Sequence, residues 1–177
     1  KYSANWSGAK QDGKSHGGEP YYCPYGWKKF AIQFDENIDE YKYDNWAIAY
    51  HGTGRENHMK ILLTGLKCSN NGKGWGTGVY LSPSIKYVSH PRYCKPVRFN
   101  LNTARQKNWT QQHVDLFEKY HGKWIQVAFA CRVKPGEYTK HRETMGLGIN
   151  GEFDGIDKKV IEWLVKGTKD KCAGEIV

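Results

Sequence analysis

The sequence predicts an α+β domain, and three observations carry that expectation. Strand-like segments outnumber helical ones. Their order along the chain is scattered, unlike the regular alternation of a βαβ fold. The 38% hydrophobic content is modest, but seven Trp and twelve Tyr add large rings that can fill a core. At 177 residues one domain accounts for the chain. Residues 1–20, rich in Gly, Ser, Lys and Gln, read as a flexible N-terminal arm, with Gly13, Gly17 and Gly18 interrupting any periodicity. Residues 21–177 read as the single folded domain.

Taken in order, the elements follow from pattern. Trp27, Phe30, Ile32 and Phe34 suggest a half-buried strand. The apolar run Trp46 to His51, stopped by Gly52, predicts a buried strand. Residues 56–63 predict a helix: Met59, Leu62 and Leu63 fall at helical spacing and Gly65 stands where a C-terminal cap belongs. The stretch 68–78 holds four glycines and reads as loop, followed by a strand at Val79 to Leu81. A short helix over 84–89, broken by Pro91, precedes a longer one over 110–121 with Thr110 as N-cap. Trp124 to Val133 reads as one long strand, and Val160–Val165 and Gly174–Val177 as two short ones.

Composition bounds the function. The formal charge of +9 favours polyanionic partners, although the basic residues are scattered and no run of five occurs. Cys23, Cys68, Cys94, Cys131 and Cys172 form no CxxC pair, which argues against a zinc site. Such an odd, dispersed set reads as buried or free thiols of a reducing, intracellular compartment. No apolar run approaches the ~20 residues of a membrane span.

Three segments carry the chemistry: Tyr50-His51-Gly52-Thr53, Gly78-Val79-Tyr80-Leu81-Ser82 and Ile161-Glu162-Trp163-Leu164-Val165. His51 or Tyr80 alone would more often be core residues. Glu162 is the unusual one, because a carboxylate inside an apolar strand is costly unless it faces a partner or a cleft.

Taken in order, these segments resemble the His-Tyr-Glu signature of the PARP-type ADP-ribosyltransferases. The likeness includes the Ile61-Leu62…Gly65-Leu66 helix end, the glycine-rich approach to Gly76–Tyr80 and the Cys131-Arg132-Val133 strand, and it runs from about Ala47 to the C-terminus. The resemblance implies an ADP-ribosyltransferase fold, with two mainly antiparallel sheets around a central NAD-binding cleft and a few short helices. It implies NAD as co-substrate with no metal, cleavage of the nicotinamide–ribose bond, and transfer of ADP-ribose to a macromolecule, protein before others. By the same resemblance Glu162 bonds the nicotinamide ribose, Tyr80 stacks on the nicotinamide ring, the Gly52 main chain grips the carboxamide, and His51 bonds the adenosine ribose with Thr53 beside it. Ser82 joins the NAD-contacting set.

The stretch after Tyr80 departs from the family, where a Ser and a second Tyr complete the nicotinamide pocket. One alignment puts Tyr87 at the serine and His90 at the second ring; another puts Ser89 near the serine. We favour His90, since imidazole can also stack. The positive charge keeps nucleic acid open as an acceptor. Water as acceptor, and a domain that binds NAD or ADP-ribose with little turnover, are the other readings. A monomer is expected.

Overall fold

The computed structural model describes residues 11–32, 43–69, 74–104, 108–146 and 153–167. Within them the chain is a mixed α+β fold of small antiparallel sheets and short helices. Strand β1 (Gln11–His16) pairs with β2 (Glu19–Tyr22), β3 (Ala47–Gly52) with β7 (Ala128–Val133), and β5 (Val97–Arg98) with β6 (Trp124–Ile125). The remaining sheet runs β4 (Gly78–Leu81), β9 (Glu162–Lys166), β8 (Thr139–His141), with β9 in the centre. The described residues also form four helices: α1 (Arg55–Thr64), α2 (Ile85–Val88), α3 (Leu101–Ala104) and α4 (Gln111–Glu118).

Alternation sorts the strands into two packing faces. Ala47, Ala49, Phe129, Cys131 and Val133 of the β3–β7 pair meet Val79, Leu81, Trp163 and Val165 in one core. Tyr50, Ile161, Met145 and Phe153 meet Ile85, Tyr87 and Val88 of α2 in a second. The pairs are stitched at one point, where Tyr50 N–H donates to the Ser82 carbonyl at 2.7 Å and Ser82 N–H to the Tyr50 carbonyl at 3.0 Å. Since Trp163, Leu164 and Val165 are all buried, β9 is covered on both sides, which explains its unbroken apolar run. Trp163 is further clasped by Tyr138, stacked at 4.5 Å.

Several sequence expectations are corrected. Residues 11–22 are a hairpin, not loop: Gly17 and Gly18 both have positive φ (63° and 85°) and make its two-residue turn. Residues 27–32 form no strand, and Phe30 and Ile32 are exposed; Phe34 lies outside the described residues. The long strand from Trp124 divides at Gln126, whose side-chain amide donates to the Ser89 and Cys94 carbonyls, so β6 and β7 join different partners. Helix α1 forms as expected, capped at Gly65, but it buries none of its residues fully; Met59, Leu62 and Leu63 face solvent, while Ile61 leans on the core and His58 meets Phe129 edge-on at 5.9 Å. Cys23, Cys94 and Cys131 are buried and in no disulfide, whereas Cys68 is disulfide-bonded, which departs from a wholly reduced set. Gly174–Val177 and residues 1–10 lie outside the described residues. Among the described residues no helix is long and apolar enough to cross a membrane.

Gly52 shows how tightly the second core is drawn. A Cβ there would stand 2.2 Å from the Val88 carbonyl oxygen, a backbone atom that cannot rotate away. The close approach of β3 to α2 therefore requires glycine. Gly52→Ala is expected to lose about 1–3 kcal/mol of stability by overpacking, read from the urea midpoint; a parental midpoint would show that α2 is free to shift.

Candidate functional site

Glu162 opens β9 and is 3% exposed. Its Oε1 accepts from the Tyr87 hydroxyl at 2.5 Å, the Thr144 hydroxyl at 2.6 Å and the Tyr93 hydroxyl at 3.2 Å. Its Oε2 is buried and accepts no hydrogen bond among the described residues. A buried ionised carboxylate costs several kcal/mol unless it is compensated, and each hydrogen bond to a charged group returns about 1.5–3 kcal/mol. Here the donors are hydroxyls gathered on one oxygen, so Oε2 is left as an enclosed acceptor without a partner.

The hydroxyls come from separate parts of the chain. Tyr87 projects from α2, Tyr93 from the turn after it, and Thr144 from the segment after β8. Helix α2 is fixed at its start by Ser84, whose hydroxyl accepts the Tyr87 N–H at 3.1 Å and donates to Asp154 Oδ2 at 2.7 Å. Asp154 is itself buried and holds φ +60°, a left-handed conformation that Asp tolerates better than most residues. The Thr144 N–H donates to the Tyr87 hydroxyl at 3.1 Å, and Arg92 Nη1 ties the same segment down through the Met145 carbonyl at 2.7 Å. Burial, followed by the bond to Glu162, pushes the Tyr87 phenol well above its usual range; burial chiefly raises Tyr93 too. Both therefore stay protonated and act as donors.

Tyr80 lies opposite Leu164 across the β4–β9 ladder, and Glu162 precedes Leu164 by two, so Tyr80 and Glu162 project from the same sheet face. His141 lies opposite Glu162 on β8 and shares that face. The Tyr80 hydroxyl accepts from the Trp75 N–H at 2.9 Å and donates to the Gly76 carbonyl at 2.8 Å, pinning the ring against the glycine-rich loop. Trp75 in turn stacks on His141 at 4.8 Å and donates from Nε1 to the Arg142 carbonyl. His51, at the end of β3, is joined to this group by a 2.8 Å bond between Nδ1 and the Tyr80 carbonyl. A carbonyl only accepts, so Nδ1 carries the proton and Nε2 keeps its lone pair. Burial lowers the His51 pKa, with a smaller opposing effect from that carbonyl, and the imidazole stays neutral.

The other expected residues fall in different places. Thr53 braces the start of α1: its hydroxyl accepts from Asn57 Nδ2 at 3.0 Å and its carbonyl from His58 Nε2 at 3.3 Å. Ser82 is fully enclosed, and its hydroxyl accepts the Ser84 N–H at 3.1 Å, so it shapes the entry to α2. Tyr87, placed by alignment at the family serine, reaches Glu162 directly instead. His90 is a turn residue: Nδ1 accepts the Arg92 N–H, and the carbonyl accepts from the Tyr93 and Cys94 N–H groups. It makes no hydrogen bond to the Glu162 group among the described residues. Tyr93, Thr144 and Asp154 were missed. Tyr93 carried a usable signal, an aromatic just past the Pro91 turn; Thr144 and Asp154 sit in a polar connection with none. A hollow of about 330 Å³ lies along β8–β9 and is lined by Gly136, Tyr138, Thr139, Leu164 and Lys166; Glu162 does not line it.

Neutral burial of His51 has a pH consequence. Its folded pKa lies below the unfolded value of 6.5, so the unfolded chain takes up a proton first as pH falls. Stability is full above 6.5 and is lost as pH falls toward the folded pKa. His51→Asn keeps a donor for the Tyr80 carbonyl but cannot titrate. Its melting temperature is expected to fall less steeply than that of the parent between about pH 7 and pH 5; parallel profiles would mean that His51 protonates freely in the fold. Searches against protein-family models, curated proteins and solved structures return no match for this chain, so the site stands on its own residues.

Proposed function

We propose that this chain is an NAD-dependent ADP-ribosyltransferase with Glu162 as its central catalytic group. The observation that carries the reading is the enclosed, unpartnered Oε2 of Glu162 on the sheet face that also bears Tyr80. It is supported by the match to the His-Tyr-Glu order, and by the bond that joins His51 to the Tyr80 backbone.

The chemistry follows from the bond to be broken. When nicotinamide leaves with the electrons of its bond to ribose, positive charge grows on the anomeric carbon, as in glycoside cleavage. The charge passes there from the pyridinium ring, which leaves as neutral nicotinamide, and a fixed carboxylate beside the anomeric carbon stabilises it more in that new position than on the ring. Glu162 is suited to this because its donors are neutral hydroxyls; among the described residues it makes no salt bridge. Oε1 is held by those hydroxyls, and Oε2 is the atom that can accept a ribose hydroxyl. Tyr80, with its hydroxyl tied back to Gly76, offers a ring to the nicotinamide. The His51 Nε2 lone pair accepts from the adenosine ribose, and the Gly52 main chain holds the carboxamide. Tyr93, whose hydroxyl reaches Glu162, supplies the second aromatic in place of His90. The ADP-ribosyltransferase arrangement of two sheets about a cleft belongs to the same proposal. The acceptor nucleophile then bonds to the anomeric carbon and releases its proton; protein is the favoured acceptor, with nucleic acid and water as the alternatives.

Incubation with NAD labelled in the nicotinamide ring tests the reading. Free nicotinamide is expected, and Glu162→Gln should reduce its release by about 10²–10³-fold while NAD binding, followed by calorimetry, persists. Equal release by the Gln variant would remove Glu162 from the mechanism, and absence of release with every acceptor class would remove the activity.

A further inference from the structure

The Lys and Arg residues of this chain are unevenly engaged. Lys134 and Lys140 are paired with carboxylates on the β8 side of the molecule. Around the β5–β6 ladder and the end of α4 the situation is different: Lys28, Arg98, Lys119 and Lys123 are exposed, and none forms a salt bridge among the described residues. The local chain geometry draws these cations together. Lys28 and Lys119 each hold an ammonium 5.4 Å from the Tyr120 ring. Arg98 is anchored by its Nε bond to the Gly122 carbonyl at 3.1 Å, and the Lys123 carbonyl accepts the Phe99 N–H next to it. The nearby carboxylates are Asp115 and Glu118 of α4, and Asp115 is engaged by Gln111.

Set among these charges is Trp124, 71% exposed on a two-residue strand. It lies opposite Arg98 in the ladder, so the indole and the guanidinium share one face. An indole left in water forgoes the burial that normally repays its size. Phe30, also exposed, stacks on Phe117 at 5.8 Å with its rings nearly parallel.

We propose that this surface binds single-stranded nucleic acid, with Trp124 stacking on an unpaired base and Arg98, Lys119 and Lys123 meeting the phosphates. Exposed rings interleaved with unpaired cations are what a flexible strand requires: a ring for the base face and charge for the backbone. A duplex hides its base faces, and β5–β6 is too short to enter a groove as a ribbon. The inference is independent of the NAD reading, since it uses none of its residues.

Fluorescence anisotropy with labelled dodecamers of uridylate and of thymidylate tests it, at about 50 and about 200 mM salt. Binding of either strand is expected, weakening as salt rises; the pair of probes separates an RNA-specific surface from one indifferent to the sugar. Trp124→Ala should weaken binding by about tenfold or more, and Trp124→Phe should retain most of it, which separates loss of a ring from misfolding. Lys119→Ala with Lys123→Ala should flatten the salt dependence. The proposal is overturned by absence of binding at low salt, by parental affinity in Trp124→Ala, or by tighter binding to a duplex. It is equally overturned if phosphatidylserine vesicles or poly-glutamate bind as well as the strands do, with the same dependence on Trp124.

Discussion

The constraint on which the site depends is the burial of one carboxylate in the central strand of a three-stranded sheet. Glu162 is 3% exposed and pairs with His141 of β8, at the start of the central strand β9. Its charge must be met where it lies, and the fold meets it with hydroxyls on Oε1. Tyr87 reaches Oε1 because α2 is held by Ser84 and Asp154 at its start and packed on Gly52 at its end. Thr144 reaches it because its segment is tied to Tyr87 and Arg92. Much of what looks like loop geometry is thus arranged around a single oxygen.

The arrangement is asymmetric: three hydroxyls meet Oε1 and none meets Oε2 among the described residues. A purely structural carboxylate would be expected to satisfy both oxygens, since an unpaired buried acceptor costs about 1–3 kcal/mol. Leaving Oε2 bare is a cost that a ligand hydroxyl can remove, and polar groups left unpaired in a protein interior gather at functional positions. The neutral donors around Oε1 matter as well. On the proposed reading, an Arg or Lys in their place would neutralise the field that stabilises the developing cation.

The sequence made the central elements legible where local signals agreed with tertiary demand. The β3 run ending at Gly52, the α1 cap at Gly65 and the β9 run around Glu162 combine apolar pattern with a terminating residue, and all form as expected. Glu162 stood out because its polarity contradicts its strand. Legibility failed where distant contacts decide. The Gly17-Gly18 pair reads equally as disruption or as a tight turn, and only pairing with β2 distinguishes them. The apparent strand from Trp124 is split because Gln126 finds carbonyls after α2, a partnership no local window contains. Helical spacing in α1 marked the helix but not its buried side, and it lies with Met59, Leu62 and Leu63 outward. Thr144 and Asp154 belong to polar stretches where one residue looks much like the next until the fold brings them to Glu162 and Ser84.

On the proposed reading, Glu162 keeps one oxygen for a ribose hydroxyl. Carbon-13 labelling of the glutamate side chains, with the Glu162 signal assigned by substitution, reads that oxygen directly during titration with a non-hydrolysable carbocyclic analogue of NAD. A saturable shift of the Glu162 carboxyl carbon, lost when the analogue lacks the hydroxyl equivalent to the ribose 2′-hydroxyl, is the expected result. A carboxyl signal that stays fixed while the analogue binds would contradict the account.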